Sequence, residues 1–323
     1  MKTHHDIEHT LHEDKFEFFD ELPLEIQHET AKNLSSQDLL NLSLISRGHW
    51  AFFKHEIAVR KLLHHVVHGE YEAVQSILRN DIHLIFKRSK VTDCSGRVFE
   101  MVSAFEYALW ALDKHMWDAM LDCLPQNEET YTILELLNKQ YNKVNEEGVT
   151  YNLNGKNTTE KHFDFKNTII KELRRQVNLA SLYRWGLNLG TIERQWIEDV
   201  GSAQKLFPMH VVYEYCSNEP FCPVPNFTLR PPSSTQFYNW IPDKKENWFG
   251  STSKLGLDFS VLKGVLTEGR AAIVPFITPN LVMQDLAAMM ALHEIRTMDF
   301  IHLKLQLETQ LIANNPKFLK SLD

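Results

Sequence analysis

The 323-residue chain carries a formal net charge of −8 and is 43% hydrophobic. This allows a substantial core, with two or three domains as the expectation from length, and argues against a general binder of nucleic acid or anionic membranes. No apolar run approaches the roughly 20 residues needed to cross a bilayer, so membrane insertion is not expected. The polar opening Met1-Lys2-Thr3-His4-His5-Asp6 lacks the apolar stretch of a classical signal peptide. Of the four cysteines, Cys94, Cys123, Cys216 and Cys222, only the last two are close enough in sequence to suggest a pair. Their spacing is not that of a zinc site, and free thiols in a reducing cytosol fit better.

Residues 1–17 read as a flexible polar N-terminus. Pro23 then suits the first turn of a helix, where its missing N–H costs nothing, and Asp20 and Glu21 complement the positive end of that helix. The first helix is expected from Pro23 to Asn33. Ser35-Ser36 interrupt it and offer an N-cap for a second. Leu39 and Leu42 share one face of this second helix and Leu40 and Leu44 another, so it is apolar on more than one side, as a helix between two partners would be. Arg47-Gly48-His49 turns the chain into a third helix bearing Trp50 and Phe53.

From Phe19 to Phe53 this pattern resembles the F-box: the opening Leu22-Pro23, Glu25-Ile26, Leu34, the Asp38-Leu39 start of the second helix, and Ser46-Arg47 with Trp50. Thr30 and Gly48 depart from the family pattern. The resemblance implies that residues 18–54 dock on the Skp adaptor of a cullin–RING ubiquitin ligase, with Leu22, Pro23, Ile26, Leu34, Leu39, Leu42 and Trp50 facing that partner. Each large side chain buried there would contribute about 1.5–3 kcal/mol before the costs of association.

Residues 55–125 resemble degenerate ankyrin repeats. One helical pair runs from Leu62 to Leu78 and a second from Ala104 to Leu121, with Asp93-Cys94-Ser95-Gly96-Arg97 between them like the turn of that repeat. The two ends lie about ten residues further apart than the ankyrin period. Residues 126–323 read as a helical C-terminal region. Helices are expected over Thr130–Val144 and Thr168–Tyr183, over Ile192–Tyr215 with a break at Pro208, and over Leu281–Ile312. Between the first two lies a loop or hairpin turning at Gly148 and Gly155. Between Ser217 and Pro242 six prolines forbid a regular helix. The aromatics Phe221, Phe227, Phe237, Tyr238, Trp240, Trp248 and Phe249 nevertheless point to an ordered, packed segment. A strand or two is expected within 255–278. The fold class is therefore mainly α, with a long Pro/aromatic loop and a few short strands.

Enzyme signatures are missing: no G-x-S-x-G, no Walker loop, no dinucleotide fingerprint. His210 and Cys216 are the one Cys/His pair worth naming, and their i, i+6 spacing does not share a helical face. His162 and Asp164 read as turn residues. The histidine cluster His4, His5, His9 and His12, and the i, i+4 pair His64 and His68, read as solvated positions rather than metal ligands. No catalytic residue, cofactor or metal is expected.

The F-box with ankyrin-like repeats, together with the Asp93–Arg97 and Phe105–Trp117 segments and Val200-Gly201-Ser202-Ala203-Gln204, resembles translocated effectors of intracellular bacteria of the Legionella type. That implies secretion into a host cell and action in the host cytosol. The expected function is non-catalytic recruitment of an unidentified host target for ubiquitination. Contact with that target would come from 146–160 and 219–249; the alternative is a scaffold that sequesters a host protein without ubiquitin, and after it a cryptic enzyme in residues 160–323.

Overall fold

A computed structural model describes residues 19–182, 188–239, 242–250, 253–264, 270–271 and 279–315. The N-terminal segment 1–17, its histidine cluster, Trp240 and most of the strand expected over Ala271–Ile277 lie outside the described residues. The protein is mainly α-helical with a few short strands, mostly antiparallel. It divides into two compact units, Met1–Ile57 and Ala58–Asp323.

In the first unit, α1 (Leu24–Asn33) starts directly after Pro23. Helix α2 (Ser36–Ser43) is capped by Ser35, whose hydroxyl accepts the Asp38 N–H at 3.1 Å. Ser46 Oγ likewise accepts the His49 N–H at 3.1 Å at the start of α3 (Arg47–Val67). The core is small: Phe19, Ala31, Leu39 and Phe53, bordered by Leu34, Leu42, Phe52 and Ile57.

Helix α3 differs from expectation. The helix bearing Trp50 and the one beginning near Leu62 are a single 21-residue helix. No proline or glycine occurs between Gly48 and Gly69, so nothing stops the helix before Gly69, whose φ of 67° ends it.

In the second unit, α4 (Tyr71–Asn80) leads to the hairpin β1 (Arg88–Thr92) and β2 (Val98–Ser103). The Asp93–Arg97 turn sits at its tip, where Asp93 Oδ1 accepts the N–H groups of Ser95 and Arg97 at 3.0 and 2.9 Å. Next come α5 (Ala104–Ala111), α6 (Lys114–Leu121) and α7 (Glu129–Glu147). Every residue of α5 is buried, as expected of a helix apolar on all sides but for Glu106, which closes a Ser103/Glu106 capping box at its start. Strands β3 (Val149–Leu153) and β4 (Lys156–Glu160) extend the sheet in the order β1-β2-β3-β4. Gly148 and Gly155 both have φ of 81°; a Cβ on Gly148 would lie 2.6 Å from the Glu160 carbonyl oxygen.

After a π-turn at Lys166–Ile170 come α8 (Lys171–Leu182), α9 (Leu189–Arg194), a second π-turn, α10 (Gly201–Lys205) and α11 (Met209–Cys216), the last starting after Pro208. Strand β5 (Gln236–Asn239) pairs antiparallel with β6 (Lys244–Asn247) and parallel with the two-residue β7 (Arg270–Ala271). The stretch read as one helix or two, Leu281–Ile312, is one: α12 (Pro279–Ala313).

A single core runs through this unit from Val59 to Leu307 and spans position 125/126, where the sequence leaves open whether the C-terminal region is separate. Aromatic contacts cross that position. Phe163 N–H donates to Trp110 O at 2.7 Å, their rings meet edge to face at 6.3 Å, and Trp117 meets Phe300 edge to face at 6.5 Å. Arg97 is buried beneath the same cluster, its guanidinium 5.2–5.4 Å from the ring centres of Trp110, Tyr151 and Phe163.

Candidate docking face

A unit whose core is Phe19, Ala31, Leu39 and Phe53 has little interior in which to hide other apolar groups. It leaves Leu22, Leu24, Ile26, Leu44, Ile45 and Trp50 exposed, with Leu24, Leu44 and Ile45 between 60% and 70% accessible. Leu24 and Ile26 stay outside because the inward positions of α1 are Gln27 and Ala31. Gln27 Nε2 donates to Leu22 O at 2.9 Å, which fixes the start of the helix. Leu44 and Ile45 follow the end of α2, beyond its buried residues Leu39 and Ser43. Water-facing leucine and isoleucine in this number, on so small a unit, make this part of it a candidate docking face.

Of the seven residues expected to face a partner, Leu22, Pro23, Ile26 and Trp50 are exposed, and Leu34 and Leu42 are half-buried against the core. Leu39 is fully enclosed. That is a correction: it is the center of the unit's own packing and not available to a partner. Leu24, Leu44 and Ile45 were absent from the expected face. Leu44 and Ile45 could have been found from the apolar excess around α2, whereas no pattern in the sequence distinguishes Leu24.

The second unit holds a buried polar centre where α6, α11, α12 and the segment 260–264 meet. Lys263, fully buried, donates through Nζ to the carbonyls of Glu214, Tyr215 and Ser217 at 2.5, 3.2 and 2.7 Å, at the negative end of α11. Asp285, also fully buried, accepts the Lys263 N–H at 3.1 Å and the Gly264 N–H at 2.5 Å. Arg296 bonds Asp299 at 3.1 Å, lies 3.8 Å from Glu214, and its Nη2 is 3.0 Å from His115 Nε2. Burial pushes the Asp285 carboxyl up to about 7 and the Lys263 ammonium down to about 8.

These groups tie α11, α12 and the segment 260–264 together. His210 Nε2 lies 2.8 Å from Ala111 O and its other ring nitrogen has no partner. Burial lowers its pKa to about 3 and raises the Cys216 thiol to about 12. Such a thiol holds almost no thiolate near neutral pH. Asp164 caps the Asn167 N–H at 2.9 Å, and His162 Nδ1 is 3.2 Å from Phe163 O, so the two form no dyad. The rings of His64 and His68 meet at a tilt, 4.1 Å apart, and among the described residues no group of three or more His, Cys, Asp or Glu could hold a metal. All four cysteines are free, so Cys216 and Cys222 are not paired. In 219–249, Phe221, Phe227, Phe237 and Trp248 are core, which removes them from the expected target contacts; the exposed positions there include Val224 and Leu229. No helix among the described residues is long and apolar enough to cross a membrane.

His210, which is buried, and His115, which is half-buried, carry a pH signature. His115 and His210 both have folded pKa values near 3 against an ordinary 6.5. Between those values the unfolded chain binds more protons, so their contribution to stability is present above about pH 6.5 and is lost as the pH falls. The raised carboxyls, Asp285 and Glu214 at about 7 and Asp113 at about 6, act in the opposite sense over the same range. His115→Gln/His210→Gln should therefore lose less stability than wild type between pH 6.5 and 4, by up to about 1.4 kcal/mol per pH unit for each histidine. Urea titrations at stepped pH measure it; parallel curves would refute the assignment.

Residues 168–307, from the π-turn before α8 to near the end of α12, match the family model of the CBUA0006 C-terminal domain. This span contains Lys263, Asp285 and Arg296, so most of the buried polar centre belongs to the matched domain. The chain is 31% identical over 272 residues to a Coxiella burnetii (strain RSA 493 / Nine Mile phase I) protein described as uncharacterized protein CBUA0006, covering 80% of this chain and 77% of the relative. No solved structure matches. An alignment of that identity and extent, with a matching C-terminal domain, makes this chain a member of the CBUA0006 family.

Proposed function

We propose that this protein is a non-catalytic adaptor. Its N-terminal three-helix unit docks on the host Skp adaptor of a cullin–RING (SCF) ubiquitin ligase, and the Ala58–Asp323 unit holds a target protein for ubiquitination. The observation that carries this reading is the uncovered apolar set Leu22, Leu24, Ile26, Leu44, Ile45 and Trp50 on a unit that already has its own core. The F-box resemblance supplies the partner. The ligase supplies the chemistry, and this chain raises the local concentration of substrate. A relative in Coxiella burnetii supports a bacterial origin, and the resemblance to translocated effectors adds secretion into a host cell and action in its cytosol.

The test is co-purification of the full chain with the Skp adaptor, wild type beside Leu22→Ala/Ile26→Ala/Trp50→Ala. These side chains are 37–50% exposed, so stability should change little while affinity falls about 100-fold or more, as expected when several anchors are truncated together. A folded wild-type chain that forms no complex would overturn the reading. Binding lost without loss of the cellular effect would favour a ubiquitin-independent scaffold.

A further inference from the structure

Helix α12 has two apolar faces. Val282, Met289, Leu292, Phe300, Leu303 and Leu307 are buried in the core. On the outer side Met283, Met290, Met298, Ile301, Leu305 and Ile312 are all exposed, recurring every three, four, seven or eight residues. At about 1.5 Å per residue this stripe is about 44 Å long. The core cannot be its reason, since the core takes the opposite face.

Alongside lies helix α8, and here the surface changes character. Lys166, Lys171, Arg174 and Arg175 line one shallow depression of about 440 Å³ with Asn167 and Asn178. Arg174 Nη2 reaches Met290 Sδ at 3.6 Å, which places the basic wall against the methionine stripe. Arg175 is neutralised by Asp199 at 2.8 Å and Lys171 contacts Glu172 at 3.3 Å. Among the described residues neither Lys166 nor Arg174 pairs with a carboxylate. In a chain of net charge −8, a local cationic wall beside an uncovered apolar stripe is a specific arrangement.

We propose that the α8/α12 surface binds an amphipathic helix of a partner protein, whose apolar face covers the α12 stripe and whose flank toward α8 is acidic. Unbranched methionines adapt to differing side chains and recur at surfaces that accept helices. The basic wall sets orientation and excludes helices with basic flanks. A lipid surface fits less well, because Glu294 and Glu308 lie among the apolar residues of the stripe and would be pressed against anionic headgroups. The adaptor reading enters only in calling this partner the recruited target; the surface is testable without the ligase.

The experiment uses the full chain and two synthetic helical peptides with the same leucine stripe, one flanked by glutamates and the other by lysines. Fluorescence anisotropy should show the glutamate peptide binding about tenfold or more tighter. Lys166→Glu/Arg174→Glu should abolish or reverse that preference, and Met290→Asp should weaken both peptides. These positions are exposed, and circular dichroism checks that the variants fold. The Leu22→Ala/Ile26→Ala/Trp50→Ala variant should bind the peptide as wild type does, so failure of the adaptor reading leaves this result standing. Equal binding of the two peptides, or no binding of either, overturns the proposal. So does a self-associated chain made monomeric by Met298→Asp, which would show a second copy on the stripe. Sedimentation with phosphatidylserine vesicles that Met290→Asp abolishes would show a lipid surface instead.

Discussion

Replacing Lys263 with methionine should lower stability by about 3 kcal/mol. The ammonium is the donor for three carbonyls at the end of α11, and each buried acceptor left without a partner costs about 1–3 kcal/mol. Against this stands the relief of a buried charge, visible in the fall of the Lys263 pKa from 10.5 to about 8. The balance still favours lysine, because removing one member of a buried charged network takes from Asp285 the positive charge that Lys263 supplies, although Glu214 keeps Arg296 at 3.8 Å. A urea midpoint gives the loss, and amide exchange over 209–217 should accelerate first. A change under about 1 kcal/mol would mean that water replaces the ammonium.

Gly256→Ala should cost about 2–5 kcal/mol. Gly256 has φ of 73°, where a side chain costs about 1–2 kcal/mol, and its added Cβ would lie 2.9 Å from the Gly201 carbonyl carbon and the Ser202 nitrogen. Both neighbours are backbone and cannot swing aside, so overpacking adds about 1–3 kcal/mol. Gly201→Ala isolates the second effect: its φ is −63°, yet its Cβ would meet Gly256 Cα at 2.6 Å. Thermal unfolding of the two variants should rank Gly256→Ala as the more damaging. Equal losses would place the whole cost in the contact.

This contact explains part of what could be read from the residues. The segment Val200–Gln204 stood out, but for fold: Gly201 lets another backbone approach, and Gln204 clamps Val261 through both amide atoms, at 2.6 and 2.9 Å. Asp93–Arg97 is likewise a turn that delivers a buried arginine to an aromatic cluster. Helices α1, α2, α7, α8, α11 and α12 were legible because proline, serine caps and apolar periodicity act locally. The hairpin β1–β2 was hidden, because Arg88–Thr92 is polar in sequence and becomes a strand only by pairing with Val98–Ser103. Leu39 lies at a position where the F-box pattern expects a partner, and its burial depends on Phe19 and Phe53, two contacts distant in sequence. The exposed stripe of α12 was invisible for the same reason: periodicity shows apolar faces, and only packing shows which one is left over.

Helix α3 has a practical consequence for dissecting the chain. A cut between residues 54 and 55, where the F-box resemblance ends, would fall inside a helix that runs from Arg47 to Val67. The C-terminal fragment would begin with four helical N–H groups stripped of their acceptors, close to Val59, Leu62 and Leu63, which belong to the large core. Severing before Ser46 instead keeps the whole helix and its serine cap on the C-terminal fragment, and so yields a piece with a properly closed end.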